Sequence, residues 1–151
     1  MAGTYSRIYI QVIFTVKGRE NLLQKPWRER VFKYIFATVE AKKQKCLIVN
    51  GTGDHVHVFV SMNPSMRISD LVRDIKNNSS NFINEQKFLA GKFAWQTGYG
   101  VFSYSRSQID QVYQYIAKQE EHHKKRSFKE EYLTFLKSYE IEYQEKYLFD
   151  W

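Results

Sequence analysis

Hydrophobic and polar positions alternate most clearly near the start of the chain. Over residues 5–16, Ile8, Ile10, Val12 and Phe14 alternate with Tyr9, Gln11, Ile13 and Thr15, so large apolar side chains occupy both faces and predict a central strand. Pro26 then stands where a first helical turn accepts it, and Val31, Tyr34, Ile35, Thr38 and Val39 recur at helical spacing up to about Lys43. Residues 46–51 predict a second strand, and the turn residues from Gly51 to Asp54 pair it as a hairpin with the β-branched run that begins at His55. After Asn63, Pro64 and Ser65, the positions Ile68, Leu71, Val72, Ile75, Ser79 and Phe82 predict a second amphipathic helix.

The segment 93–104 mixes aromatics with Gly98 and Gly100 and predicts a fourth, bent strand. Ser107-Gln108-Ile109-Asp110 reads as a capping box with Asp in place of Glu, opening a third helix that reaches about His122, and Ser127-Phe128-Lys129-Glu130 repeats the signal for a last one. The order strand, helix, strand, strand, helix, strand is that of α+β ferredoxin-like (RRM-like) folds. The expectation is an antiparallel sheet with helices on one face, plus appended C-terminal helices, in a single domain over residues 1–151.

Composition narrows the class. The 151 residues carry 23 Lys and Arg against 16 Asp and Glu, a net charge of +7, and 17% are aromatic. Cations with stacking surfaces suit single-stranded nucleic acid, although most of the aromatics must fill the core. Cys46 is the only cysteine, which excludes an intrachain disulfide and a multi-thiolate zinc site. No run of about 18 apolar residues and no signal-peptide pattern occurs, so no membrane segment and a cytoplasmic location are expected.

Two of the four histidines, His55 and His57, flank Val56 in the third strand. Side chains two apart in a strand share a face, so the imidazoles project together, opposite Val56, Val58 and Val60. Such a pair is either half of a metal site or the polar face of a strand. On the third helix, Ile109, Val112, Tyr113 and Ile116 form an apolar stripe that assigns Tyr113 to the core, while Gln111, Tyr115, Lys118, Gln119 and His122 form a polar one. Tyr115 and Gln119, four apart on a helix, can address one point in space and complete a metal site.

The His55-Val56-His57 strand, the Trp95-Gln96-Thr97-Gly98-Tyr99-Gly100 segment and the Tyr115-Ile116-Ala117-Lys118-Gln119 helix occur in the order seen in a known group. The chain resembles the single-tyrosine transposases of the IS200/IS605 group, within the His-hydrophobic-His endonuclease superfamily, over nearly its whole length. The resemblance implies cleavage and rejoining of single-stranded DNA at hairpin-marked element ends, with Tyr115 as nucleophile and a 5′-phosphotyrosine intermediate. His55, His57 and Gln119 would hold a divalent cation, Mg2+ or Mn2+, that polarises the scissile phosphate. It also implies a homodimer in which the tyrosine helix of one subunit completes the histidine pair of the other, with Gly98 and Gly100 allowing that helix to move.

Arg67, Arg73 and Lys76 on the second helix, and Lys118, Lys124, Lys125 and Arg126 around the end of the third, are the candidate DNA-phosphate contacts. His122 and His123 read as helix C-terminal residues facing the dipole, or as DNA contacts. Two other function classes compete. A histidine-triad hydrolase needs a third histidine where Phe59 stands, and a non-catalytic RRM-like module needs stacking aromatics where the histidines stand. A domesticated, REP-associated relative that binds hairpin DNA in a regulatory role keeps the same residues.

Overall fold

Because both of its faces are apolar, β1 (Ile8–Thr15) can lie inside a sheet, and it does. In the computed structural model, which describes residues 3–148, a four-stranded antiparallel sheet runs in the order β2 (Lys45–Gly51), β3 (His55–Met62), β1, β4 (Gly100–Tyr104). The register places Thr15 opposite His55 and Ile13 opposite His57. Helices α1 (Lys25–Ala41) and α2 (Ile68–Gln86) cover one face. There Ile10, Val12, Phe14, Val56, Val58 and Val60 pack with Val31, Ile35, Val39, Leu71, Val72 and Ile75.

The appended helices are not peripheral. α3 (Ile109–Ala117), α4 (Gln119–His122) and α5 (Phe128–Ser138) lie on the side of the opposite face, and a short α6 (Glu145–Leu148) follows. Val112 and Ile116 of α3 pack on Tyr9 and Phe59, and Phe128, Tyr132 and Leu136 of α5 pack on Ile13 and Phe102. The sheet is therefore covered on both sides, unlike the open sheet of an RNA-recognition module. No helix among the described residues is long and apolar enough to cross a membrane.

Three expectations are corrected by local chemistry. The fourth strand is shorter than predicted: residues 93–99 form an extended lead-in, joined to the sheet by a single bridge between Trp95 and Val16. Trp95 packs edge-on against Phe14 and donates to Ser79 Oγ, and Lys76 Nζ donates to the carbonyls of Gln96 and Gly98, so side chains hold this segment in place of a ladder. Gly98 has φ +89, which requires glycine, whereas Gly100 is a buried β4 residue whose Cβ would lie 2.6 Å from the Tyr132 hydroxyl. Close packing against Tyr132 leaves no room for a side chain at Gly100.

The capping box at the start of the third helix is Ser105 with Gln108, upstream of the Ser107–Asp110 pattern, and it opens a 3-10 turn before α3. That helix does not run unbroken to His122. It ends at Lys118 (φ −103, ψ 27), where Asn50 Nδ2 of β2 donates to the carbonyls of Ile116 and Ala117. Ser127 caps α5 as its sequence predicts, its Oγ accepting from the Glu130 amide.

Candidate metal and tyrosine site

The face of β3 that α5 covers carries His55 and His57, both fully buried, with ring centroids 5.1 Å apart. His55 Nδ1 lies 2.8 Å from Asp54 Oδ1 and 3.0 Å from Thr52 Oγ1. A carboxylate only accepts, so Nδ1 carries the proton and Nε2 presents a lone pair. His55 Nε2 lies 2.9 Å from Gln119 Oε1. His57 Nε2 faces Glu131 Oε1 at 3.2 Å and donates to it, while Nδ1 accepts from Gln11 Nε2 at 3.0 Å. Gln11 is itself oriented by the Tyr104 hydroxyl, which donates to its Oε1 at 2.9 Å.

Glu131 is the hub of the site. Phe128, Glu131, Tyr132 and Leu136 form the buried stripe of α5, so the helix delivers a carboxylate into the second core. Its Oε1 accepts from His57 and from His123 Nε2, each at 3.2 Å, and lies 3.8 Å from His55 Nε2. Its Oε2 accepts from Gln119 Nε2 at 3.3 Å and from the Tyr115 hydroxyl. Burial alone would raise the Glu131 pKa, but the charge of His57 and hydrogen bonds from His123 and His57 hold it well below the usual carboxylate range. Burial lowers the His57 pKa against the opposing pull of Glu131. The Tyr115 phenol is pushed above its usual value, first by burial and then by the Glu131 charge beside it.

His55, His57 and Glu131 each offer one ligand atom within 4.8 Å of the others, a group that could hold a metal ion. The donor set fits one. His55 Nε2 and Gln119 Oε1 are two lone-pair acceptors 2.9 Å apart, a juxtaposition that a shared cation satisfies and a neutral pair does not. The Asp54 carboxylate behind His55 orients that imidazole as outer-shell partners of metal-bound histidines do.

The sequence matches the model of the family described as IS200-like transposases over residues 4–119. The chain belongs to that family. No curated protein matches it. Among solved structures, a candidate transposase from Deinococcus radiodurans R1 is similar, with TM-score 0.65 and 20% identity, over 79% of this chain and 95% of that one. A REP-associated tyrosine transposase, in a structure bound to a REP hairpin, is similar with TM-score 0.60 and 13% identity, over 82% of this chain and 73% of that one. At these identities the two structures share the fold. The family match ends on Gln119, so His123 and Glu131 lie beyond it.

This transposase brings four of its sequence-predicted site residues together: His55, His57, Tyr115 and Gln119. Tyr115 and Gln119 straddle the break at Lys118, and Glu131 links them through its Oε2. The tyrosine reaches the histidines of its own chain, with ring centroids of Tyr115 and His57 6.3 Å apart. Tyr113 is 40% exposed rather than a core aromatic, because the buried stripe of α3 is Val112 and Ile116 with Tyr115 packed beside them.

The two histidines read as helix-terminal also move. His123 enters the site through Glu131, and the His122 ring stacks on Tyr115 with centroids 4.5 Å apart. Glu131 itself was missed, although a carboxylate on the apolar stripe of Phe128, Tyr132 and Leu136 is a signal visible in the sequence.

The basic residues divide. Arg126 Nη2 lies 3.4 Å from the Tyr115 hydroxyl, and Lys124 lines a cavity beside Asp54 and His123. Lys118 sits at the helix break, and Lys125 is exposed at the end of α4. Arg67 is the N-cap of α2 and Arg73 and Lys76 lie within it, across the sheet from the histidines. Arg73 pairs with Asp70 and Asp74, and Lys76 is bound to backbone carbonyls.

Proposed function

We propose that this transposase cuts and rejoins single-stranded DNA through a 5′-phosphotyrosine on Tyr115, in a divalent-metal-dependent reaction carried out in the cytoplasm. One observation carries the reading: the Tyr115 hydroxyl donates to a buried carboxylate that also holds His57 and His123 and lies against His55. A nucleophile, a cation site and a hydrogen-bond acceptor that orients the nucleophile thereby meet at one point.

In the step proposed, the Tyr115 oxygen bonds to phosphorus, the bond from phosphorus to the 3′ oxygen breaks, and the phenolic proton, directed at Glu131 Oε2 beforehand, leaves to solvent, because Glu131 is too weak a base to keep it. The freed 3′ oxygen takes a proton from solvent. Rejoining is the reverse, with another 3′ hydroxyl attacking the phosphotyrosine, so no ATP is needed. His55, His57, Gln119 and Glu131 would hold Mg2+ or Mn2+. A cation so held would polarise the phosphate and offset the Glu131 charge that opposes phenolate formation. Two imidazoles among the donors favour Mn2+ as the better ion in vitro, because Mg2+ prefers oxygen ligands. Arg126, beside the hydroxyl, would take a non-bridging phosphate oxygen.

The REP-associated relative was solved with a hairpin, and the shared fold supports hairpin DNA as the substrate here. It equally supports a role at dispersed hairpins under regulatory control, with the same chemistry. A homodimer with tyrosines exchanged in trans is implied by the resemblance, whereas the proximity of Tyr115 to its own histidines supports cleavage in cis.

The test is incubation of hairpin-bearing single-stranded DNA with Mn2+. A covalent protein–DNA adduct that disappears in Tyr115→Phe is expected, and an adduct undiminished by that change would overturn the assignment. Mixing His57→Ala with Tyr115→Phe separates the arrangements, since restored cleavage occurs only if subunits share sites.

A further inference from the structure

Beside Tyr115 lies a cavity of about 340 Å³, open on one side, that the chemistry above does not use. Its lining includes Tyr104, Gln108, Gln111, Tyr115, Arg126 and Tyr139, drawn from β4, α3, α5 and the connecting segments. Among the described residues, His55, His57, Gln119 and Glu131 do not line it, so it is a compartment next to the cation site rather than part of it.

We propose that this cavity is a nucleobase pocket, holding one unpaired base of the DNA strand immediately next to the phosphate that Tyr115 attacks. The inference rests on the proposed function and specifies where the cleavage site is read. A strand whose phosphate lies within reach of Tyr115 and Arg126, which are 3.4 Å apart, must place a flanking sugar and base within one nucleotide of them. The cavity shares both residues as its wall.

Its chemistry suits a base. Tyr104 and Tyr139 present aromatic walls with centroids 6.3 Å apart and planes at 84°, and stacking on such walls accepts the face of any base. Both hydroxyls already donate, Tyr104 to Gln11, which also lines the cavity, and Tyr139 to the Ser103 carbonyl, so the ring faces are the surface left for a ligand. The edges of a base need polar partners, and two amides stand at the rim. Gln108 commits its Oε1 to Ser105, leaving its NH2 group, and Gln111 is exposed on α3. A carboxamide can pair with a base edge through two hydrogen bonds, which gives discrimination as well as affinity.

Size decides between occupants. A volume of about 340 Å³ lies at the small end of ligand clefts, enough for a base with its sugar and too small for a duplex. A free phosphate would need the arginine but not the aromatic walls. An apolar ligand would make no use of the Gln108 NH2 group or of the exposed Gln111 amide.

The experiment uses the full chain and hairpin-bearing oligonucleotides in which each nucleotide around the cleaved phosphate is replaced in turn by an abasic site or by 2-aminopurine. Tyr115→Phe, which cannot cut, serves for binding measurements, and the wild type is scored in parallel for the covalent adduct. At one position flanking the cleaved phosphate, the abasic site is expected to weaken binding about tenfold, the scale of one base stacked on an aromatic side chain. 2-Aminopurine at that position is expected to be quenched. Adding Tyr139→Ala or Gln111→Ala is expected to weaken the intact oligonucleotide and to abolish the extra abasic penalty. Gln111 is exposed, so its variant keeps the test valid if Tyr139→Ala folds poorly. An adduct in the wild type with a flat abasic scan, or with an abasic penalty unchanged by both variants, overturns the pocket alone. Absence of an adduct on every oligonucleotide takes down the proposed function and the pocket with it.

Discussion

The Tyr115 hydroxyl donates to Oε2 of Glu131, a carboxylate sixteen residues further along the chain and on a different helix. The other oxygen of the same carboxylate accepts from His57 and His123. The nucleophile and the histidine pair are thus joined through one fully buried charge, supplied by a segment outside the part of the chain that matches the family.

Glu131 should therefore matter to metal binding and to folding separately. Glu131→Gln keeps the shape and removes the charge, and Mn2+ affinity measured by calorimetry is expected to fall at least tenfold, the lower end of what even outer-shell partners contribute. Glu131→Ala also leaves the His57 and His123 N–H groups without their acceptor. Its unfolding free energy in urea is expected to drop by about 1–3 kcal/mol for each buried N–H left without an acceptor. Unchanged Mn2+ affinity in Glu131→Gln would remove Glu131 from the ligand set.

Gln11 is expected to act through His57. In the arrangement described, Gln11 donates to His57 Nδ1, so the ring proton sits on Nε2 and points at Glu131. Ligation through Nε2 requires the proton on Nδ1 and an acceptor opposite it, which Gln11 supplies by turning its amide. Gln11→Met cannot do so, and Mn2+ affinity should fall about 10–100-fold, beside a stability loss of about 1–3 kcal/mol from the Tyr104 hydroxyl and His57 Nδ1 left without Gln11. An unaltered affinity would show that His57 finds its tautomer without help.

Acid should destabilise the metal-free protein in two steps. The folded pKa of His57 is depressed below 6.5, so the unfolded chain binds the extra proton first, and stability present above pH 6.5 is lost as pH falls below it. Glu131 is depressed below 4.5 and adds a second loss beneath that value. The urea midpoint should decline from pH 7 downward, and Glu131→Gln should flatten the decline below pH 4.5 while leaving the upper part. A midpoint that rises on acidification would contradict both shifts.

Lys76 and Arg126 should separate a structural cation from a DNA-binding one. Lys76→Met removes two hydrogen bonds to the segment leading into β4, and a loss of about 1–3 kcal/mol of stability is expected, with the salt dependence of DNA affinity unchanged. Arg126→Gln should leave stability nearly intact and reduce the slope of log affinity against log salt by about one. Equal slopes in the two variants would return Lys76 to the DNA surface.

The strands, the first two helices and the shared face of His55 and His57 were legible because each follows from periodicity within one element: period two along β3, period 3.6 along α1 and α2. Helices were expected on one face only, and the doubly apolar β1 is the physical reason that the other face is covered as well. Which segment supplied the second cover was not legible, because α5 reaches the sheet only through long-range packing of Phe128, Tyr132 and Leu136 on Ile13 and Phe102.

By itself, then, the sequence determined a ferredoxin-like sheet, the paired imidazoles and the four-residue spacing of Tyr115 and Gln119, since local spacing fixes which side chains share a face. Tertiary structure decided the rest. It broke the third helix at Lys118 through Asn50 of a distant strand, left Tyr113 exposed, and brought His123 and Glu131 into the site. Those outcomes depend on which buried polar groups find partners across the fold, and no periodicity along one element contains that information.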